Sequence, residues 1–143
     1  MNRFEHSFAV EEGDLDPIGH VNNISYVRWI QDVAVAHSAA VGFDFDTYKK
    51  VGAIFMVRRH EVDYLRPVQL GQRVVARTWV TDAAGAKCHR HTEIRTADSD
   101  HPAVRGLTTW VFVGINSGRP TRIPPELFQA FGMSPTGFHP PKP

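Results

Sequence analysis

Residues 14–26 have the sequence Asp-Leu-Asp-Pro-Ile-Gly-His-Val-Asn-Asn-Ile-Ser-Tyr and stand directly ahead of the most apolar helical pattern in the chain. Pro17 and Gly19 predict a tight turn, because proline fixes φ near the value that turns need and glycine adopts backbone angles that other residues avoid. Asp16 and His20 flank this turn. The stretch therefore predicts a carboxylate and an imidazole held together at the entrance to a helix.

That helix begins at one of two asparagines. The side chain of Asn22 or Asn23 can accept a hydrogen bond from the unpaired N–H groups of the first helical turn, so either residue serves as the N-cap. The free N–H groups and the dipole at a helix N-terminus favour developing negative charge. A site of this kind suits attack on a carbonyl group.

The helical pattern runs over residues 23–41, and Gly42 is a natural stop. Apolar residues fill most of both sides, which leaves Arg28 and Asp32 as the only charges. A helix that is apolar nearly all round is predicted to be buried. His37 falls within the apolar set and is most simply a satisfied core histidine.

After a predicted loop over residues 43–52, the spacing of the apolar residues changes from a helical pattern to one in which every second residue is apolar. The alternation predicts strands that are separated by short turn signals, so we expect these strands to be antiparallel neighbours. The last of them is apolar on both faces, as expected of a central strand. A short helix is predicted over 124–131. The predicted strands are 4–11, 53–65, 73–81, 87–96 and 104–115.

These elements predict an α+β fold in which a curved antiparallel sheet of about five strands wraps one long buried helix. The sheet has open edges, so we expect a homodimer or a homotetramer. A chain of 143 residues is long enough for one domain and too short for two ordinary ones. We assign residues 1–133 to that domain and 134–143 to a loose tail rich in proline and glycine.

Composition excludes several classes of function. A net charge of +1, with scattered basic residues, makes no case for nucleic-acid binding. No segment approaches the ~18 apolar residues of a membrane span, and the N-terminus lacks a signal peptide's apolar run. The single cysteine, Cys88, is predicted to be a small buried residue in a reducing, cytoplasmic setting. The eight histidines show no zinc spacing, so we expect no metal.

The motif order resembles the hotdog-fold acyl-CoA thioesterases, in particular the branch that includes the 4-hydroxybenzoyl-CoA thioesterases. The resemblance starts from Asp-Pro-Ile-Gly-His-Val-Asn-Asn over residues 16–23 and covers roughly 4–131. Further matching segments are His-Glu-Val-Asp-Tyr-Leu-Arg-Pro at 60–67, Val-Gln-Leu-Gly at 68–71, Trp-Val-Phe-Val at 110–113, Gly-Arg-Pro at 118–120 and Arg-Ile-Pro at 122–124. The resemblance implies hydrolysis of an acyl thioester to a free acid and coenzyme A, without a cofactor.

The resemblance also implies that Asp16 is the catalytic carboxylate and that the site is completed across a dimer interface. Asp16 acts as a nucleophile or as a general base on water, and the sequence leaves both routes open. The plant acyl-carrier-protein thioesterases look similar, but Ile18 stands where they carry an asparagine. Gln31 stands where many relatives carry an acid, which argues against a catalytic carboxylate in the helix. The resemblance is compatible with either of two carriers of the acyl group, coenzyme A or an acyl-carrier protein.

Other residues complete the predicted site. His20 either hydrogen-bonds substrate or water or packs behind the turn, while the backbone N–H of Asn23 is predicted to bind the thioester oxygen. Gly19, Asn22 and Tyr26 join the predicted substrate-binding set, although a tyrosine in the position of Tyr26 is more often a core residue than a substrate contact. Basic residues are candidates for the phosphates of coenzyme A, because arginine pairs well with phosphate oxygens. We predict that Arg59, Lys87 and Arg90 bind phosphate. The other basic candidates are Arg58, Arg119 and Arg122.

Two alternatives fit the same residues. A hotdog dehydratase or hydratase would use the pair of Asp16 and His20 to move protons without hydrolysis. A non-catalytic acyl-CoA binding domain would keep the fold and lack turnover. The order Asp-Pro-Ile-Gly-His over residues 16–20 favours the thioesterase over the dehydratase or hydratase.

Overall fold

The computed structural model describes residues 3–132. The predicted tail at 134–143 lies outside the described residues. The chain alternates one long helix and two short ones with five strands, which confirms the predicted α+β class. The elements are β1 (Phe4–Ala9), a 3-10 turn (Glu12–Asp14), α1 (Asn23–Ala40), α2 (Phe45–Val51), β2 (Ala53–Tyr64), β3 (Arg73–Ala84), β4 (Lys87–Thr96), β5 (Val104–Gly114) and α3 (Pro125–Ala130).

The five strands form one antiparallel sheet in the order β1-β3-β4-β5-β2. The prediction that β2 and β3 are neighbours is wrong, since β2 pairs with β5 and β1 pairs with β3. The connection over 65–72 is long enough for this crossing, because eight residues span up to ~26 Å and three strand spacings need only ~14 Å. It is held by the backbone N–H of Val68, which donates to the hydroxyl of Tyr26 at 3.1 Å.

Helix α1 packs one side against the sheet through Trp29, Ile30 and Val33, which are buried in the core. The prediction that α1 is buried nearly all round is wrong for a single chain. Ile24 is 69% exposed and Val35 is 66% exposed on the outer side. One sheet covers only one side of a helix, so the apolar outer side needs a second surface.

Helix α2 occupies a segment that the sequence predicted as loop. The sequence does carry the residues that typically start and end a helix. The side chain of Asp44 caps the start by accepting a hydrogen bond from the backbone N–H of Thr47 at 2.9 Å, and Gly52 ends the helix with φ +87. An acidic N-cap and a left-handed glycine are typical helix boundaries. The helix closes a second apolar core with Phe112 and Leu127.

Strand β2 has an irregularity that changes which side chains face outward. Val57 pairs with Trp110 and Arg59 pairs with Thr109, so Arg58 is an extra residue on β2. The regular alternation of side chains between the two faces is therefore interrupted at Arg58 and Arg59 by a bulge. Both side chains are exposed.

Among residues 3–132, no helix has both the length and the hydropathy that crossing a bilayer requires.

Candidate active site

The predicted turn forms a closed loop ahead of α1. Leu15 and Val21 make an isolated antiparallel bridge, and the backbone N–H of Asp16 donates to the carbonyl of His20 at 2.7 Å. Gly19 has φ +90, in the left-handed region that favours glycine, and its N–H donates to the carbonyl of Asp16 at 3.0 Å. The local chemistry of the sequence therefore fixes the loop as predicted.

The carboxylate of Asp16 is engaged through one oxygen. Its Oδ1 accepts from the backbone N–H of Ile18 at 3.0 Å and of His20 at 2.9 Å. Within residues 3–132, Oδ2 accepts no hydrogen bond. Asp16 thus shapes the turn, as an aspartate before proline often does, and still presents one carboxylate oxygen for chemistry.

The N-terminus of α1 lies directly after this loop. Asn22 is the N-cap: its side-chain oxygen accepts from the N–H of Ile24 at 2.9 Å, and its carbonyl accepts from the N–H of Ser25 at 2.9 Å. The backbone N–H of Asn23 has no acceptor in the described part of the chain. It belongs to the first turn, whose N–H groups have no acceptor within the helix, and it is therefore left for a ligand.

Asp14 anchors the loop to α1, a role that the sequence prediction missed. Its carbonyl accepts from the N–H of Asn22 at 2.8 Å and from the hydroxyl of Ser25 at 2.9 Å. Its buried carboxylate accepts from the N–H of Glu11 at 2.9 Å and lies 3.5 Å from Nη1 of Arg28. The available signal was a polar Ser25 at a buried helix position.

The structure brings together Asp16, Gly19, His20, Asn22 and Asn23 within one turn and the first residues of α1. The imidazole of His20 is exposed and makes no hydrogen bond to any residue that the structure describes. It does not pack behind the turn, so it is free to meet a ligand.

Tyr26 does not join this group. Its ring is buried between Trp29 and Tyr64, and its hydroxyl accepts from the backbone N–H of Val68. Burial raises the pKa of this hydroxyl. Tyr26 is therefore a core residue that ties α1 to the β2–β3 connection, and its assignment to substrate binding is corrected.

The three basic residues chosen for coenzyme A have different environments. Arg59 and Lys87 are exposed on β2 and β4, and Arg59 lies 3.7 Å from the carboxylate of Glu61. Arg90 is 4% exposed, and its Nη1 donates to Nδ1 of His37 at 2.9 Å and to the hydroxyl of Thr78 at 3.0 Å. The prediction that Arg90 binds a phosphate of coenzyme A is wrong, because its guanidinium lies inside the core.

Two core predictions are confirmed. His37 is buried, stacks on Phe4 with ring centroids 5.1 Å apart, and has its pKa lowered to about 4, first by burial and then by the charge of Arg90. Cys88 is buried, and burial raises the pKa of its thiol to about 12, which makes it unreactive.

Comparison with known proteins identifies the family and the fold of the chain. The profile of the thioesterase-like superfamily matches residues 10–131. The acyl-acyl carrier protein thioesterase ATL2 of Arabidopsis thaliana is 23% identical over 128 residues, which are 90% of this chain and 68% of that protein.

Solved structures share the same fold. The 1,4-dihydroxy-2-naphthoyl-CoA thioesterase of Synechocystis superposes with a TM-score of 0.84 at 17% identity, covering 92% of this chain and 96% of that one. The DHNA-CoA thioesterase of Staphylococcus aureus superposes with a TM-score of 0.82 at 19% identity, covering 92% of this chain and 90% of that one. The arrangement of strands and helices is thus the hotdog fold.

Proposed function

Since the chain belongs to the thioesterase-like superfamily, it is a thioester hydrolase, and we propose that it cleaves an acyl-CoA to the free acid and coenzyme A with Asp16 as the reacting carboxylate. One observation carries the proposal: within residues 3–132, a carboxylate with a free oxygen lies in the loop that leads into α1, and the first backbone N–H of α1 is unpaired. The first group attacks or activates the attacking water, and the second stabilises the oxygen that gains charge.

Two routes use the free oxygen of Asp16. As a general base, Oδ2 takes a proton from the water that attacks the thioester carbon; the C–S bond then breaks, and coenzyme A leaves as the thiol with the proton that the carboxyl group returns. As a nucleophile, Oδ2 attacks the carbon itself, coenzyme A leaves, and water hydrolyses the resulting mixed anhydride. The bonds from Ile18 and His20 to Oδ1 hold the carboxylate in one orientation for either route.

The backbone N–H of Asn23 is the proposed donor to the thioester oxygen. It stands at the positive end of the α1 dipole, and its side chain is exposed. A donor already fixed by the helix costs little reorganisation as charge develops on the oxygen. The exposed imidazole of His20 is proposed to hydrogen-bond the substrate or the reacting water.

Coenzyme A is the proposed carrier. Arg59 and Lys87 are the exposed basic side chains proposed to meet its phosphates. The name of the Arabidopsis relative specifies an acyl carrier protein instead. Both carriers therefore belong in the substrate panel.

A homodimer is the proposed assembly, alone or stacked into a tetramer. Strand β2 lies at an edge of the sheet, and Met56 on it is exposed. The outer side of α1 adds the exposed apolar residues Ile24 and Val35. An open strand edge next to an apolar helix face is a surface that proteins normally cover, and a second copy would cover it symmetrically.

The experiment measures thiol release from short, long and aromatic acyl-CoAs and from acyl-carrier-protein thioesters, with wild type and Asp16→Asn. The amide oxygen of asparagine can still accept both backbone hydrogen bonds, so the variant removes the charge and keeps the turn. We expect a loss of about a hundredfold or more in kcat. The matched control is Asp32→Asn, an exposed acid on α1 that should leave kcat unchanged.

The outcomes separate the alternatives. Full activity in Asp16→Asn would refute the role of this carboxylate. Acyl-CoA binding without turnover on every substrate would indicate a binding domain. Loss of the enoyl chromophore when the protein is given an enoyl-CoA, without thiol release, would indicate a hydratase.

A further inference from the structure

A cavity of about 200 Å³ opens between the C-terminal half of α1, helix α2 and the inner face of the sheet. Its walls are mostly apolar, with aromatic rings from Phe55, Trp110 and Phe131. A dry apolar cavity of ~150 Å³ is large enough to bind benzene. The cavity therefore has room for one aromatic ring with a small substituent.

Two side chains that line this cavity carry hydrogen-bond donors without a partner in the described part of the chain. In the described part of the chain, two buried side-chain nitrogens lack a partner, Nε of Arg90 and Nε1 of Trp110, and both residues line the cavity. Buried polar groups are nearly always hydrogen-bonded, and each exception needs an explanation. Both groups are donors only, so a ligand group with acceptors only would satisfy them.

The charge of Arg90 narrows the class of ligand. Its Nη1 donates to the neutral groups of His37 and Thr78, and no carboxylate within residues 3–132 pairs with it. Burial lowers the pKa of Arg90 to about 10, so the guanidinium is still a cation at neutral pH. A buried cation is normally paired with an anion. A carboxylate provides both the charge and the acceptors.

The two donors belong to neighbouring residues on the sheet. Cys88 pairs with Trp110 and Arg90 pairs with Thr108, so Arg90 and Trp110 are diagonal neighbours on the inner face. Diagonal residues on adjacent strands stand ~7–8 Å apart, within reach of long side chains. Both nitrogens have almost no contact with solvent, so the proposed ligand reaches them only if the side chains of Arg90 and Trp110 rotate.

The cavity is distinct from the Asp16 turn of the same chain. The α1 residues that line it begin at Ala34, eleven positions after Asn23. At a rise of ~1.5 Å per residue, the two places are ~17 Å apart along the helix.

We propose that this cavity binds a small aromatic carboxylic acid in its ionised form, with the ring among Phe55 and Phe131 and the carboxylate on Arg90 and Trp110. The site is separate from the Asp16 turn of the same chain. The cavity would bind, as a second ligand, a carboxylic acid of the kind that thioester hydrolysis releases.

The test is an NMR titration of the full chain with sodium benzoate and with benzamide, its uncharged counterpart of similar shape. The indole N–H resonance of Trp110, assigned with Trp110→Phe, should shift saturably with benzoate. We expect benzoate to bind about tenfold or more tightly than benzamide, and Arg90→Met to remove that preference while benzamide binding is kept. Arg105→Met, which removes an exposed arginine on β5, should leave both affinities unchanged.

Several results would overturn the proposal. Equal affinities for benzoate and benzamide in wild type, or no saturation up to about 10 mM, would show that the cavity does not select a carboxylate. Loss of benzoate binding in Asp16→Asn would place the ligand at the turn instead. If Arg90→Met fails to fold, Trp110→Phe decides, since an unchanged benzoate affinity in that variant contradicts the proposed contact.

Discussion

Nη1 of Arg90 lies 2.9 Å from Nδ1 of His37, in the core between α1 and β4. Because arginine can only donate, Nδ1 of His37 accepts, and the imidazole is neutral with its proton on Nε2. A proton on Nδ1 would break this bond and place two cations side by side. The low pKa of His37, about 4, follows from burial and from the charge of Arg90.

We predict that this histidine makes the fold sensitive to acid. Well above pH 6.5 His37 is neutral in both folded and unfolded chains, so it adds no pH dependence there. As the pH falls from 6.5 towards about 4, only the unfolded chain takes up the proton, and the free energy of unfolding decreases. The expected loss is on the order of 2 kcal/mol once solvent screening is allowed for.

Urea denaturation at several pH values, in wild type and in His37→Gln, checks this prediction. The variant should lose part of the decrease between pH 6.5 and 4, and the exposed control His20→Gln should keep the wild-type decrease. Identical pH profiles for wild type and His37→Gln would contradict it.

The local parts of the site could be predicted from sequence because local chemistry determines them. Pro17 and Gly19 fix the turn, and an asparagine before an apolar helical pattern fixes the N-cap. The alternation along β4 also contained an unused signal: Cys88 was predicted to be buried, and Arg90 follows it on the same face. That spacing places the arginine inside.

The order of the strands could not be predicted in the same way. Turn residues after Tyr64 indicate that a strand ends, but they do not say where the next strand pairs. The crossing depends on a tertiary hydrogen bond between Val68 and Tyr26, 42 residues apart. The exposed outer side of α1 likewise depends on what covers it, which apolar periodicity does not specify.

Gly106 on β5 allows α1 to approach the sheet closely. A Cβ at this position would lie 2.9 Å from Cδ1 of Ile30, a fully buried side chain. We predict that Gly106→Ala destabilises the protein by about 1–3 kcal/mol through overpacking. Ile30→Val removes the clashing methyl group and should cost about 0.5–1.5 kcal/mol alone.

A double-mutant cycle by urea denaturation measures the coupling. The double variant should be more stable than the sum of the two single losses predicts, since valine leaves space for the new methyl group. Additivity within about 0.5 kcal/mol would show that the contact does not limit packing.

Gly19 and Gly13 form a matched pair for the loop ahead of α1. A Cβ at either position meets nothing within 4 Å, but only Gly19 has a positive φ, at +90. We predict that Gly19→Ala costs about 1–2 kcal/mol from backbone strain alone and lowers kcat by moving Asp16. Gly13→Ala should change stability by less than about 0.5 kcal/mol. Thermal denaturation and thiol release test both, and equal effects of the two variants would argue against a conformational role for Gly19.

Asn22 and Asn23 are predicted to act through different groups. Asn22→Ala removes the side-chain cap of Ile24 and should cost about 1 kcal/mol. Asn23→Ala should leave stability and kcat nearly unchanged, because the proposed function of Asn23 resides in its backbone N–H. The two alanine variants therefore separate capping from catalysis.

Asn23→Pro tests that N–H directly. Asn23 is the first residue of α1, where helices tolerate proline because the N–H has no partner within the helix. Asn22 before it has φ −68 and ψ 141, the extended conformation that a residue before proline prefers. The helix should therefore keep its stability, while kcat falls by about a hundredfold or more if this N–H binds the thioester oxygen. A folded Asn23→Pro variant with wild-type kcat would show that the developing charge is stabilised by another group.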